Sequence, residues 1–421
     1  MNRAVFLLGI LLGGFAAEII AAPADTAADV NGVTIAGMGS FEFGQLINYQ
    51  YRGNDYSRAW LSQSKMRLSA RKIITSWLRV ALGAEVSAWY ETYDKFSNNP
   101  FVVPEQFFSV VIHESRAIFA WGNPLSLETG VFPYKYNPDV RNLGEYLFRS
   151  GTYPGFLIGE FDFPLERLTG LRVNSRLFGK LDQDLLVTFE TKYKPFHDVS
   201  VSYLAGFTPH PVIAVGGGVS FAHLLSIDEK ETTFKAYDTL RGDSIDLTFR
   251  GTKVMARLCF DIKQLFPDGI FGQEDLKLYT EAAILGVNNY RLYYNDILQR
   301  IPVMAGFNVP TLKALDVVAF ETEWYGSPYP NNYNNAFSVQ PQPRPIPDLP
   351  QGTYTHDIYI KDNWKWSVYA RKTIAGSFSA TVQFARDHFR TKSNNPWNVE
   401  REESLTKDSH WYWITKLSYK F

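Results

Sequence analysis

The chain has 421 residues, with 42 Lys and Arg against 43 Asp and Glu, for a formal net charge of −1. That balance argues against a nucleic-acid partner, and a single cysteine, Cys259, excludes an internal disulfide. A mean hydropathy of −0.18 is far too low for a helical membrane protein, while 15% aromatic residues is rich for a soluble domain.

Met1-Asn2-Arg3 is a short positive start, Ala4 to Ala17 is almost wholly apolar, and Ala22-Pro23-Ala24 supplies small residues before Asp25. This is the three-part pattern of a secretory signal peptide. It is expected over residues 1–24, with cleavage between residues 22 and 24. The apolar run falls short of the roughly 20 residues a spanning helix needs, and Glu18 argues further against a lasting anchor. No cysteine lies near the cleavage site, and no second spanning stretch follows residue 24. Residues 25–35 read as a short periplasmic segment and 36–421 as one folded unit.

From there the dominant period is two, the period of a strand with unlike faces. Phe41, Phe43, Ile47, Tyr49 and Tyr51 alternate with Glu42, Gly44, Asn48, Gln50 and Arg52. Leu78, Val80, Leu82, Ala84 and Val86 alternate with Arg79, Gly83, Glu85 and Ser87, and Val199, Val201 and Tyr203 with Ser200 and Ser202. Later, Leu276, Leu278 and Ile284 oppose Lys277, Tyr279 and Glu281, and Phe378, Ala380, Val382 and Phe384 oppose Ser379, Thr381 and Gln383. Soluble sandwiches alternate too, but many of these runs reach about ten residues, the length a tilted strand needs to cross a bilayer.

Short turns are expected near Lys72–Ser76, Gly122–Pro124, Thr208–Pro211, Pro310–Lys313 and Lys372–Gly376. Long polar loops are expected at Glu91–Glu105, Pro133–Pro154, Ser226–Asp243, Gly326–Asp362 and Arg390–Asp408. The alternate prolines of Gln340–Pro347 cannot donate to a ladder, which makes that stretch an external loop.

In the C-terminal segment, Trp411, Trp413, Leu417, Tyr419 and Phe421 share one face, and His410, Lys416, Ser418 and Lys420 the other. Here the chain resembles Gram-negative outer-membrane β-barrel proteins of the porin-like superfamily, whose last strand ends in Phe with apolar residues at alternate positions before it. The resemblance implies an all-β fold: a single transmembrane antiparallel barrel with short periplasmic turns and long extracellular loops. It also implies outer-membrane lipid as surroundings and recognition of Tyr419 and Phe421 by the barrel-assembly machinery. An even strand number is expected for such barrels. The strand candidates number 17; a strand at Thr232–Tyr237 would give 18, the favoured number, whereas merging segments around Phe156–Leu177 would give 16. A phase slip at Arg250-Gly251 fits a bulge.

A barrel of this size holds an aqueous lumen. Inward positions are basic on early strands, at Lys65, Arg67, Arg71, Arg79, Arg172 and Arg176, and acidic later, at Glu281, Glu321 and Glu323. Opposed walls of unlike charge would set a transverse field; the alternative is a set of merely solvated interior side chains. Pro133–Pro154 follows the fifth strand and is the third external loop, the one that folds into the lumen in porins. Its apolar residues Leu143, Leu147 and Phe148 need a wall to pack against. Its charges Asp139, Arg141, Glu145 and Arg149 are expected at the constriction, the arginines toward the pore and the acids pairing with them or with the basic wall. The alternative is an ordinary surface loop.

The seven histidines show no metal-ligand spacing, Ser220 and His223 fall on opposite strand faces, and Gly216-Gly217-Gly218 lies in a strand pattern. No cofactor, metal or catalytic activity is expected. The function read from these features is a porin-like channel for passive diffusion of small hydrophilic solutes. The rival readings are an adhesin or structural barrel and an outer-membrane hydrolase. Oligomeric state is open.

Overall fold

The computed structural model describes residues 32–51, 54–56, 59–91, 107–121, 124–148, 166–191, 197–228, 233–238, 241–248, 250–267, 269–288, 297–324, 364–389, 405 and 408–421. The signal-peptide segment, Arg149, the proline-rich stretch and most of the long loops lie outside the described residues.

In chain order the strands are β1 (Val33–Ile47), β2 (Tyr49–Tyr51), β3 (Asn54–Tyr56), β4 (Ala59–Thr75), β5 (Leu78–Glu91), β6 (Phe107–Ala120) and β7 (Leu125–Tyr134). Then come β8 (Glu166–Leu177), β9 (Leu181–Phe189), β10 (Val199–His210), β11 (Ile213–Leu225), β12 (Thr233–Asp238), β13 (Asp243–Thr248) and β14 (Gly251–Asp261). The remainder are β15 (Lys277–Ile284), β16 (Val303–Asn308), β17 (Val317–Trp324), β18 (Trp364–Ile374), β19 (Phe378–Arg386) and β20 (Trp411–Lys420). Sixteen of them form one closed antiparallel barrel in which β1 lies between β4 and β20; β2–β3 and β12–β13 are separate two-stranded hairpins.

Sixteen strands correct the favoured 18. The extra strand expected near Thr232–Tyr237 exists as β12, but it pairs only with β13, from Thr233↔Thr248 to Asp238↔Asp243. Barrel pairing resumes where β11 meets β14, at Ala222↔Gly251. The phase slip at Arg250-Gly251 is therefore the junction between that hairpin and a new barrel strand, and not a bulge. A bulge does occur in β6, opposite Gly83 and Ala84. It turns both His113 and Glu114 inward and buried, while Ile112 before them stays exposed. β1 opens at Val33, ahead of the boundary read at residue 36, because Val33–Ile35 continue the ladder with Lys72–Ala70.

Closure is made by β1 and β20, in register from Met38↔Lys420 to Ile47↔Trp411. The ladder runs on to Phe421, whose N–H donates to the Gly37 carbonyl at 3.0 Å while the Gly37 N–H donates to the Phe421 carbonyl at 2.8 Å. The Phe421 ring lies over Gly37, and a Cβ there would come within 2.3 Å of it. Glycine is what lets the ring pack on the neighbouring strand.

The start of β1, the end of β20 and the short connections share one end of the barrel, and the strand ends that border the long connections share the other. At the short-connection end, Trp77, Phe119 and Trp121 stack in sequence with centroids 6.1 Å apart at each step, the kind of girdle found at a membrane interface. Two of the short connections are tied by Asp275. It accepts the Gly272 N–H at 2.8 Å, the Leu312 N–H at 3.0 Å and the Thr311 hydroxyl at 2.9 Å. Burial alone would raise its carboxyl pKa; these donors outweigh it and hold the group below its ordinary value of 3.8.

Outward positions carry the exposed apolar side chains, among them Leu82, Val86, Phe320 and Phe384. Inward positions carry Glu85, Glu281, Glu321, Lys365 and Gln383, all buried. Gln383 faces inward as read, but it is fully buried and donates to the Tyr412 hydroxyl at 2.8 Å. A charge introduced there disturbs a packed interior, so its cost is not the small one that a water-filled surrounding would give.

Position along the strand then sets the cost of a charge on the outer face. Val382→Lys, mid-strand in β19, should destabilise by about 2–4 kcal/mol, and Ile374→Lys, at the short-connection end of β18, by about 0–1 kcal/mol. Denaturant titration of the refolded barrel in lipid checks the order; equal costs at the two positions would contradict the placement of the bilayer.

Candidate functional site

The segment after β7 turns into the barrel instead of standing above it. From Tyr136 to Leu147, every residue except Pro138, Arg141 and Asn142 is buried. The loop's apolar members, Val140, Leu143, Tyr146 and Leu147, join one cluster with Leu186 of β9, Leu204 of β10, Met255 and Cys259 of β14, Tyr279 of β15 and Met304 of β16. Each aliphatic side chain removed from water here contributes roughly 1.5–3 kcal/mol. The inward faces of β9, β10 and β14–β16 thus carry an apolar patch where a water-filled barrel would be polar, and the loop sits on it.

The polar attachment comes from three inward carboxylates. Glu321 accepts the backbone N–H groups of Arg141 (2.5 Å), Asn142 (2.7 Å) and Leu143 (2.9 Å), together with the Tyr279 hydroxyl (2.9 Å). Glu281 accepts the Tyr146 N–H (2.9 Å), the Tyr136 hydroxyl (2.6 Å) and the Asn137 side-chain amide (2.7 Å). Glu323 accepts the Tyr146 hydroxyl at 2.9 Å and lies 2.5 Å from His388 Nε2. Converging peptide N–H groups solvate a buried carboxylate much as a nest holds an anion. The loop backbone must bend to aim them, and Gly144 adopts φ +84° to do so. A Cβ at Gly144 would meet Met304 at 2.9 Å and the Glu281 carboxylate at 3.3 Å.

A second tie reaches the β19–β20 connection. The Asn142 amide donates to Asp387 at 2.7 Å, and the Tyr412 hydroxyl donates to the same oxygen at 2.7 Å. Burial pushes the Asp387 carboxyl above its ordinary range, more than these two donors pull it down.

The loop charges take other partners than those expected. Asp139 pairs with Lys277 at 3.2 Å, not with the early-strand cations. Arg141 pairs with Glu274 at 2.5 Å. Glu145 accepts the Asn137 backbone N–H at 2.5 Å and so closes the loop on itself. The loop is seated on the acidic side of the barrel, whose carboxylates take backbone donors in place of side-chain cations.

The early-strand wall is not purely basic. Lys65 lies 4.0 Å from Glu42, Arg67 pairs with Glu85, and Arg71 lies 3.5 Å from Glu114. Arg172 bonds Asp184 at 2.8 Å and Glu128 at 3.3 Å, and Arg176 pairs with Asp182 at 3.2 Å. Arg79 faces the lumen near the short-connection end and is exposed. Three further members are Glu114, Arg116 and Arg167, with Arg116 2.9 Å from Glu114 and 2.5 Å from Glu128, and Arg167 3.5 Å from Glu85. The inward parity of Arg116 and Glu128 was readable from alternation. The apolar inward patch could have been found in the same way, as Leu186, Leu204 and Met255 stand at positions where polar residues belong.

Elsewhere, the Ser220 hydroxyl is bonded to Ser202 at 2.8 Å, and His223 lies 3.2 Å from Asp198. Among the described residues no group of His, Cys, Asp and Glu could hold a metal ion.

No protein-family model matches the chain, and no curated protein is matched. Among solved structures, OprB of Pseudomonas putida is similar with a TM-score of 0.51 at 11% identity, over 93% of this chain and 94% of that one. OmpF of Salmonella typhi aligns at 11% identity over 93% of this chain and 98% of that one, with a TM-score of 0.49. A mutant of the Rhodopseudomonas blastica porin aligns at 7% identity over 93% and 100%, with a TM-score of 0.46. At these identities the likeness is one of fold, and the OprB comparison carries it: the chain has the porin-like β-barrel fold.

The anchoring role of Glu321 is open to measurement. Glu321→Gln replaces one acceptor oxygen with a donor amide facing other donors. Bonds to a charged group contribute about 1.5–3 kcal/mol, so hydrogen exchange at the Arg141, Asn142 and Leu143 amides should accelerate about ten- to a hundred-fold, with strand amides unchanged. Unaltered protection at those three sites would show that the loop is held otherwise.

Proposed function

We propose that the chain is an outer-membrane, porin-like channel for passive diffusion of small hydrophilic solutes. The observation that carries this is the partition of side chains in a closed barrel: apolar groups face outward, while inward positions bear charged groups, several of them open to water. Arg71 and Arg176, for example, have more than half of their side chains exposed. The fold likeness to OprB supports the same class. No energy coupling is needed; a solute follows its gradient, and the charges along its route filter it. On this reading residues 133–148 narrow the lumen from the β14–β17 side. Within that segment Asp139 is paired with Lys277, Arg141 with Glu274, and Glu145 with the Asn137 N–H, so all three hold the loop in place.

The test is single-channel recording from the refolded protein in planar bilayers. Stepwise conductance is expected. Silence of heat-modifiable, folded protein across voltages and salts would instead favour an adhesin or structural barrel. Of the serine and histidine weighed for a hydrolase, Ser220 is bonded to Ser202 and His223 lies beside Asp198.

Phe421 and Tyr419 form the proposed assembly signal. The contact of the Phe421 ring with Gly37 and its two backbone bonds give that residue a structural part in closure as well. Deleting Phe421 should lower the amount of heat-modifiable barrel in outer-membrane fractions; wild-type levels would contradict the assignment.

A further inference from the structure

The ion pairs on the β4–β9 side of the lumen are layered. The Arg71 side chain is 58% exposed, whereas its partner Glu114 is 2% exposed. Arg167 is 22% exposed over Glu85 at 5%, and Arg172 is 27% exposed over Glu128 at 7%. Arg116 repeats the arrangement, at 18% over Glu114 and Glu128. In each pair the carboxylate lies against the wall and the guanidinium lies over it, toward water.

The underlying acids fix the cations in place. Arg172 directs Nε to Asp184 Oδ1 at 2.8 Å and Nη2 to Asp184 Oδ2 at 3.1 Å, and its guanidinium carbon sits 5.1 Å from the Tyr134 ring centre. Glu114 lies near both Arg71 and Arg116, so the two guanidinium groups are held side by side. Two further lumen-facing arginines, Arg79 and Arg257, have no carboxylate partner among the described residues. Arg257 lies flat on the bare wall at Gly216, where a Cβ would come within 2.6 Å of its Nε.

The opposite wall offers no matching acid surface. Glu281 and Glu323 are fully buried and Glu321 is 3% exposed, all three beneath the inward loop. The transverse field expected from opposed basic and acidic walls is therefore replaced by a one-sided arrangement in which guanidinium groups meet the water over covered carboxylates, with Asp182 beside Arg176 as an open carboxylate on the same wall. The exposed guanidinium groups meet a passing ion at contact distance, whereas the carboxylates of Glu281, Glu321 and Glu323 are separated from it by the loop that covers them. Guanidinium groups also present paired N–H donors that match carboxylate and phosphate oxygens.

We infer that the lumen selects small oxyanions, solutes bearing a carboxylate or a phosphate, which move along the guanidinium face of β4–β8. This rests on the channel reading above. On the loop side Asp139 pairs with Lys277 and Arg141 with Glu274, and these four charges sum to zero.

The experiment measures reversal potentials of the full-length barrel in planar bilayers under a KCl gradient, then in potassium acetate and potassium phosphate. Chloride should be more permeant than potassium, and acetate or phosphate added to KCl should lower the chloride current by competition. The two salts separate carboxylate from phosphate preference. In the Arg71→Gln/Arg79→Gln double variant the preference for chloride should fall at least about twofold, since both side chains are exposed and Glu114 keeps Arg116. Lys72→Gln, outside the lumen on the same strand, should leave it unchanged. Open channels that prefer potassium, or an anion preference untouched by the double variant, overturn this inference while leaving the channel intact. Silence of the folded wild type overturns the channel reading and this inference together.

Discussion

Everything in this barrel depends on one requirement: the backbone N–H and C=O groups along a sheet's two edges must find partners in the protein. A sheet meets it only by joining its own edges, and the β1–β20 ladder does so through Phe421. Once the sheet is closed, strict alternation decides the rest. Each residue faces either the outside of the barrel or its lumen, and a change of parity sends a whole strand to the wrong side. That is why the bulge in β6 matters. By adding one residue it brings His113 and Glu114 inward together and places an acid between Arg71 and Arg116.

The interior follows a second rule, that buried charge must be satisfied. It is met in two ways. On the β4–β9 side cross-strand register sets carboxylates beside cations, as Arg67↔Glu85 are directly opposed. On the β15–β17 side, Glu281 and Glu321 are satisfied by peptide N–H and uncharged side-chain donors brought in by the loop. One barrel thus carries two solutions to the same desolvation cost, and their difference gives the lumen its sidedness.

Much of this was legible in the sequence. Alternation gave the outward face of β1, β5 and β19 correctly, and the short turns expected at Lys72–Ser76, Thr208–Pro211 and Lys372–Gly376 fall at observed strand ends, while the expected loop Ser226–Asp243 holds β12 and most of the other long loops lie outside the described residues. The apolar residues Leu143 and Leu147 signalled that the third long loop needs a wall. Strand number was not legible, because alternation in Thr233–Asp238 reports faces and says nothing about which strand is the partner. The acid layer beneath the arginines was missed for a related reason: Glu85, Glu114 and Glu128 meet their cations through register, which local pattern does not contain. The partners of Glu321 were out of reach altogether, since backbone donors leave no mark on residue type.

The contact between Gly37 and Phe421 also has a kinetic meaning. It joins residues separated by nearly the whole chain, so its formation requires closing the largest loop the polypeptide can make. Loop-closure entropy rises only as the logarithm of length, about 0.6 kcal/mol per doubling, but no partial version of the contact offsets it. Until that seam forms, β1 and β20 each present a row of unpaired backbone groups, the geometry that recruits strands from other chains. Of the barrel's pairings this one has the greatest sequence separation, so loop closure favours it least, and while it is open both edges can mispair with other copies of the chain.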